Sequence, residues 1–354
     1  MSKLEQSDAT LLSTLGVALT ITPMEAQLVT ALPVEKHWQF EPKWDGFRCL
    51  AFKAGNEVEI KAKSGKSLSR FFPEVLDNLR NVPSHSFVLD GELVIAVDGA
   101  LSFGALQMRL HPAASRIRRL AQETPAALIA FDCLLTKPGQ SLESRPFEQR
   151  HSALAEFFAS ISAVDHLIMT AYTRDRRIAA SWLKDRHVFL DGVVAKRLDL
   201  PYQPGRRAMV KVKHLRTADC VVGGFRYEKN SSLVGSLLLG LYDENGLLNH
   251  VGFTSGLTDG EKPALTKRLE KLIEKPGFTG NAPGGPSRWS RERSDEWHPL
   301  APKLVVEVQY DHVSDKRFRH GTRLLRWRPD KSPRQCTFDQ IPAASVALPL
   351  QRKL

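Results

Sequence analysis

One short stretch carries residue types that could do covalent chemistry on phosphorus: Glu41-Pro42-Lys43-Trp44-Asp45-Gly46-Phe47-Arg48. An amine attacks phosphorus only when unprotonated, so a nucleophilic lysine needs burial or a neighbouring cation to shed its proton. Arg48 supplies such a cation, and Gly46 would let a substrate approach the backbone. The other reading is a surface turn, because Asp-Gly is a common turn dipeptide.

Four further groups follow in order. Asp90-Gly91-Glu92 puts carboxylates at a strand corner or a hairpin tip. Phe131-Asp132 offers an aromatic ring for a base, or a core phenylalanine. Asp191-Gly192-Val193-Val194-Ala195-Lys196 sets another carboxylate before a strand. Lys211-Val212-Lys213 places two ammonium groups on one face of a strand, as an anion would require or as a solvated face would carry.

The elements that must position these groups show mainly period-2 patterning. Glu57–Lys63 alternates cleanly, Phe87–Ile95 is apolar around Asp90-Gly91, and Leu128–Leu135 suits a strand buried on both faces. Gly192–Lys196 and Met209–Lys213 read as two more strands. Helices are predicted over Pro73–Arg80 and Pro146–Ala159, each opening on proline, and over Thr173–Lys184 with Ile178, Trp182 and Leu183 on its apolar face. This text fits an α+β domain built on antiparallel sheets. A second unit begins near His214–Asp219. It has strands at Cys220–Tyr227, Gly235–Tyr242, Leu247–Phe253 and Leu304–Tyr310, a helix over Thr258–Glu274, and a Gly/Pro-rich loop at Gly277–Arg288. Several strands, one helix and a basic surface suggest an oligonucleotide-binding (OB-fold) β-barrel. The expected division is 1–214 and 215–354.

In this order, Lys43-x-Asp45-Gly46, Asp90-Gly-Glu92, Phe131-Asp132, Asp191-Gly-Val-Val and Lys211-x-Lys213 resemble motifs I, III, IIIa, IV and V of the covalent nucleotidyltransferases. Arg328-Pro-Asp330-Lys331 resembles their motif VI. That superfamily comprises ATP-dependent DNA ligases, RNA ligases and messenger-RNA capping enzymes. Lys-Trp-Asp-Gly, Asp-Gly-Val-Val-Ala-Lys-Arg-Leu-Asp-Leu-Pro-Tyr and Arg-Phe-Arg-His-Gly-Thr-Arg are similar to phrases of the small bacterial C-type ATP-dependent DNA ligases.

The resemblance implies a nucleotidyltransferase (adenylation) domain, then an OB-fold domain that grips DNA. It places Lys43, Asp45, Lys211 and Lys213 in the catalytic set, with Lys43 attacking ATP and holding AMP as a phosphoramidate. Glu41 would contact the adenine and Phe131 stack on it, while Arg48 and Glu92 hold the ribose. Lys63, Lys211 and Lys213 would neutralise phosphate, and Arg328 and Lys331 would orient the leaving pyrophosphate. Glu92 and Asp191 would bind Mg2+, with Mn2+ the alternative. Two departures stand out. The family's usual Ser-Arg-x-Gly is here Ala62-Lys63-Ser64-Gly65, which keeps the charge and loses the bidentate fork. Asp191 stands where motif IV often has Glu.

Composition agrees with a nucleic-acid partner. The 354 residues carry a net charge of +11, and Lys316–Arg334 holds eight basic residues against one acid, Asp330. Four scattered cysteines argue against a zinc ribbon, a disulfide framework and an NAD-dependent ligase with its zinc module. No run approaches the ~20 apolar residues of a membrane span. The expectation is a monomeric, cytoplasmic, nucleoid-associated bacterial enzyme that seals nicked duplex DNA in repair, with no membrane partner and repair-protein partners unidentified. An RNA ligase is the alternative within the superfamily, and a catalytically silent, basic nucleic-acid-binding protein the alternative outside it. Residues 1–32 match no motif and read as an edge segment of the first domain.

Overall fold

The computed structural model describes residues 11–161, 164–184, 190–284, 296–314 and 316–341. Two compact units divide at His214/Leu215. In the first, the strands are β1 (Ala26–Leu28), β2 (Trp38–Lys43), β3 (Phe47–Ala54), β4 (Glu57–Ala62), β5 (Ser86–Val97), β6 (Ala100–Leu101), β7 (Ala126–Leu135), β8 (Leu167–Met169), β9 (Gly192–Arg197) and β10 (Met209–Lys213). The helices are α1 (Pro73–Asn81), α2 (Phe103–Arg109), α3 (Ala114–Glu123), α4 (Phe147–Ser160) and α5 (Arg176–Lys184).

These strands form a six-stranded sheet, β4-β3-β5-β7-β8 with β6 on β5, and a four-stranded sheet, β1-β10-β9-β2. Both are antiparallel except at one edge each, where β8 joins β7 and β1 joins β10 in parallel. Antiparallel neighbours can be joined by short turns, whereas a parallel pair needs a crossover, which α4 supplies between β7 and β8.

Alternation sorts the core. On β3, Cys49 and Ala51 face one cluster, with Leu89 and Phe157, while Leu50 and Phe52 face another, with Val88 and Met209. The six-stranded sheet is therefore buried on both faces, as the apolar run of β7 predicts. On the four-stranded sheet, Phe40, Val193, Ala195 and Val212 turn to α5, whereas Val194 and Met209 turn to the six-stranded sheet. The N-terminal segment joins this second side through Leu12, Leu15, Val17 and Met24; residues 1–10 lie outside the described residues.

Several expectations need correction. Asp90-Gly91 is neither a corner nor a hairpin tip: β5 runs straight through it. Opposite, Asp90 pairs with Asp132 and Gly91 with Ala130, so Phe131 is the extra residue of a bulge on β7. A Cβ on Gly91 would lie 2.6 Å from the Ile129 carbonyl oxygen, so this close strand approach requires glycine. Asp175, not Thr173, caps the backbone N–H of Arg177 at the start of α5, and Ile178 is 48% exposed, while Ala179 takes the buried position. Helices α2 and α3 are not among the predicted elements, although Ser102 accepts from Ala105 N at 3.2 Å as an N-cap of α2, and Ile117 and Leu120, three apart, form the buried face of α3.

The second unit contains β11 (Arg216–Tyr227), β12 (Val234–Tyr242), β13 (Leu248–Thr254), α6 (Lys262–Glu270), β14 (His298–Pro299), β15 (Val305–Tyr310), β16 (Val313–Ser314), β17 (Arg317–Phe318) and β18 (Arg323–Trp327). The order β13-β12-β11-β15-β18, with β14 on β11, encloses one apolar core and is OB-like. Bulges at Val222/Gly224 and Leu239/Gly240 give the curvature that such a sheet needs. The helix is shorter than Thr258–Glu274, because Pro263 has no N–H to donate and suits only the first turn. Residues 285–288 of the Gly/Pro-rich loop and 342–354 of the expected second domain lie outside the described residues. Among the described residues no helix is long and apolar enough to cross a membrane.

Candidate active site

Register across the four-stranded sheet assembles the site. Lys43 on β2 and Lys213 on β10 both sit opposite Gly192 on β9, and Glu41 and Lys211 both sit opposite Val194. Side chains two apart on a strand share a face. Gln39, Glu41, Lys43, Lys196, Lys211 and Lys213 therefore lie on the face turned toward the six-stranded sheet. Gly192 has φ +142°, and a Cβ there would come within 2.0 Å of the Val212 carbonyl oxygen. Only glycine lets β9 begin between Lys43 and Lys213.

Between the two sheets lies a cavity of about 220 Å³. Of the residues expected to act, Glu41, Lys43, Arg48, Lys63, Glu92, Phe131 and Lys211 line it. Asp191 reaches it through Lys43, whose Nζ lies 2.5 Å from Asp191 Oδ2. Lys213 shares the face at the next register position, and Asp45 adds negative charge beside Glu92. Arg328 and Lys331 belong to the second unit, where both hold Asp219, at 2.8 and 2.9 Å; Arg328 also pairs with Asp330 at 2.8 Å.

Electrostatics follow burial. Glu92 is pushed up to about 7 by burial, against the pull of the Lys43 and Arg48 charges. Burial, with the charges of Lys43 and Lys213, lowers Lys211. Burial also raises Glu41, although Lys196 Nζ at 2.8 Å and Gln39 Nε2 at 3.1 Å both donate to its carboxylate. Ionising a raised carboxylate costs stability. In metal-free, nucleotide-free protein, the wild type should match Glu92→Gln below about pH 4.5 and fall behind it by about 3 kcal/mol as pH rises from there to about 7, with no further change above. Urea unfolding of both proteins across that range checks this; a constant difference would contradict it.

The structure also brings in residues that sequence reasoning missed. Asp90 holds Arg48 with two bonds, Nε–Oδ1 at 2.6 Å and Nη2–Oδ2 at 2.7 Å. Tyr202 Oη donates to Asp90 Oδ2 at 2.7 Å and accepts from Met24 N at 3.0 Å. Arg48 in turn lies 4.4 Å from the centre of the Phe131 ring. Lys196 donates to the Phe131 carbonyl at 2.7 Å and lies 4.7 Å from that ring. Glu25 pairs with Lys63 at 3.0 Å. Asp90, Lys196 and Tyr202 fall inside the quoted motifs and phrases, which was their sequence signal; Met24 and Glu25 had none. The role given to Gly46 needs correction: a Cβ there would lie 2.1 Å from the Leu93 carbonyl oxygen and 2.9 Å from Glu92 Cγ. Its absence seats β3 against Glu92 and leaves no opening for substrate. Tyr202→Phe should raise the KM for the nucleotide about tenfold with kcat little changed, because it frees the Asp90–Arg48 pair without touching the nucleophile. An equal fall in kcat would contradict this positioning role.

Glu92 and Asp191 both bring carboxylates within the influence of the Lys43 charge, a donor set that fits magnesium, which takes one or two carboxylates and completes its shell with phosphates and water. Among the described residues there is no group of three or more His, Cys, Asp or Glu that could hold a metal by itself.

Comparison with known proteins gives the same picture. Residues 23–213 match the model of the ATP dependent DNA ligase domain, and residues 230–331 match that of the ATP dependent DNA ligase C terminal region. DNA ligase C1 of Mycolicibacterium smegmatis is 45% identical, over 92% of this chain and 95% of its own. DNA ligase C of Mycobacterium tuberculosis is 41% identical, over 92% and 95%. A solved structure of a Lig E DNA ligase, 17% identical, shares the fold with a TM-score of 0.54, over 86% of this chain and 99% of that one. The RNA-ligase and silent-binder alternatives thereby give way, and the chain belongs to the ATP-dependent DNA ligases.

Proposed function

We propose that this ligase seals 5′-phosphate/3′-hydroxyl nicks in duplex DNA through AMP carried on Lys43. The observation that carries the reading is the convergence of Lys43, Glu41, Arg48, Glu92 and Lys211 on one cavity, with Asp191 beside the lysine. Lys43 Nζ attacks the α-phosphorus of ATP, an N–P bond forms, and pyrophosphate leaves. The DNA 5′-phosphate then takes the AMP from Lys43, and the 3′-hydroxyl attacks that phosphate and releases AMP.

Each protein group has a task of positioning or charge neutralisation, which is most of what phosphoryl transfer asks. Asp191, paired with the Lys43 amine, would orient it toward the α-phosphate. Lys211 and Lys213 offset charge on the α-phosphate, and Lys63 offsets charge nearer the ribose. Glu41 and Phe131 hold the adenine, and Arg48, fixed by Asp90, holds the ribose. Asp45 shapes the field at Glu92. Arg328 and Lys331, from the second unit, orient pyrophosphate; they must first release Asp219. Mg2+, or Mn2+ in its place, would be held by Glu92 and Asp191 and would neutralise phosphate charge. Division of labour follows the two units, 1–214 for adenylation and 215–354 for gripping DNA. The enzyme works as a monomer in DNA repair, on the nucleoid of a bacterial cytoplasm.

Incubation with α-labelled ATP, GTP or NAD, followed by a labelled nicked duplex, tests this reading. Label from ATP alone that stays with the denatured protein and survives alkali, as a lysyl phosphoramidate does, and its passage to the 5′ end at a nick, is the expected result. Absence of label from protein first stripped of AMP with pyrophosphate would overturn it.

A further inference from the structure

Strand β2 serves two pockets. Gln39, Glu41 and Lys43 face the nucleotide cavity, and the alternate residues Trp38 and Phe40 face the opposite side, where α5 packs. Beside Trp38, at the start of α5, lies a second, half-open cavity of about 360 Å³. Its walls include Pro33, Trp38, Phe40 and Leu198, and its charged lining is Lys36, Arg174 and Arg176 against the single acid Glu35.

Three features of this cavity lack a structural purpose. Val34, which lines it, is 74% exposed, an apolar side chain with nothing over it. The indole Nε1 of Trp38 has no hydrogen-bond partner among the described residues and is closed to solvent, so it is the ring, and not its N–H, that a ligand in the cavity meets. His37 sits at φ +71°, in the left-handed region, where Leu198 N holds its carbonyl at 2.9 Å. The two arginines are pinned nearby, Arg176 by the Leu32 carbonyl at 3.2 Å and Arg174 by Glu148 at 3.0 Å.

A ligand matching this lining carries negative charge and a flat apolar body. A bare phosphate leaves the aromatic wall uncovered, and a paired base keeps its faces in the helical stack. An unpaired nucleotide offers both. We propose that this reverse-face cavity takes an unpaired nucleotide at a DNA strand end, its phosphate at Lys36, Arg174 and Arg176 and its base against Trp38 and Phe40. The choice of DNA rests on the ligase reading above; the cavity itself does not.

The test uses full-length protein already adenylated on Lys43, so that the nucleotide cavity is filled. It compares a blunt duplex with the same duplex bearing a short single-stranded tail that contains 5-iodouracil. The tail should tighten binding about tenfold, and irradiation should cross-link it to the peptide spanning residues 33–40 or 174–176. Trp38→Leu, which removes the ring, and Lys36→Ala with Arg174→Ala should each cancel most of the gain, with blunt-duplex affinity and AMP labelling unchanged. No gain from the tail, a cross-link elsewhere, or variants that keep the gain would overturn the proposal. So would thymidine monophosphate displacing the tail at equal concentration, which would make this a mononucleotide site. If Lys43 takes no label, the same cross-link on unadenylated protein still decides the cavity, so the two readings fail separately.

Discussion

Lys43→Arg abolishes the enzyme–AMP adduct, lowering the rate of its formation by at least about 10⁴-fold, while the protein stays folded. Arginine keeps the positive charge opposite Asp191, which lies 2.5 Å from the lysine amine, so local electrostatics change little. It cannot give up a proton at any pH the protein survives, and its nitrogen is no nucleophile. Loss of a covalent nucleophile removes the reaction path and leaves binding, and losses of 10⁴ to 10⁶ are ordinary for such groups. Labelling with α-labelled ATP reads the adduct directly. The same variant, given a nicked duplex whose 5′ end is already adenylated, should still seal it, because that step needs no lysine nucleophile. Label on the arginine variant would show that the attacking group lies elsewhere. Sealing lost along with labelling would mean that Lys43 also serves the last step.

The second large effect is on stability. Asp132→Ala should cost about 3–5 kcal/mol, because Arg150 is fully buried and depends on that carboxylate. Arg150 donates to it twice, Nε–Oδ1 at 2.8 Å and Nη2–Oδ2 at 3.0 Å. Its remaining nitrogen reaches the Arg145 carbonyl at 2.7 Å and, more weakly, that of Leu200 at 3.3 Å. Removing the acid strands a charge that water cannot reach, whereas removing both partners removes that penalty. Asp132→Leu combined with Arg150→Met should therefore recover most of the loss. Urea unfolding followed at the aromatic signal measures both. A single mutant less than about 1 kcal/mol below wild type would show that the pair holds nothing together. The pair also anchors the residue beside Phe131, so the destabilised variant should bind nucleotide poorly even where it is folded.

Where the sequence was readable, it was so for local reasons. Strands such as Glu57–Ala62 and Met209–Lys213 were legible because alternation is imposed by the pleat and needs no knowledge of the neighbour. Lys43 stood out as the candidate nucleophile because it and its glycine sit in one short phrase, and the order of the later phrases pointed to one superfamily. Helix ends were less so: Thr173 was expected to cap α5 and Asp175 does it, since two adjacent segments each offered an oxygen and only the backbone path chose between them.

The errors at the site share a cause. Gly46 suggested room for substrate, but its missing Cβ admits the Leu93 carbonyl from another strand. Asp90-Gly91 suggested a turn, but a partner strand with one extra residue, Phe131, absorbs the irregularity as a bulge. In both cases the residue type announced unusual backbone, and the object that made it necessary lay far along the chain.

The sequence by itself put forward the candidate chemistry: which lysine would react, which acids and bases would accompany it in what order, and which strands carry them. Only the tertiary structure decided the partnerships. Tyr202 meets Asp90 across 112 residues, and Met24 meets Tyr202 across 178. Lys196 ties Glu41 to Phe131. It also decided that one strand lines two cavities. Side-chain type and spacing are properties of the chain, but a hydrogen bond or an orphaned donor depends on what the fold brings within about 3 Å, and that is set by how the sheets pack.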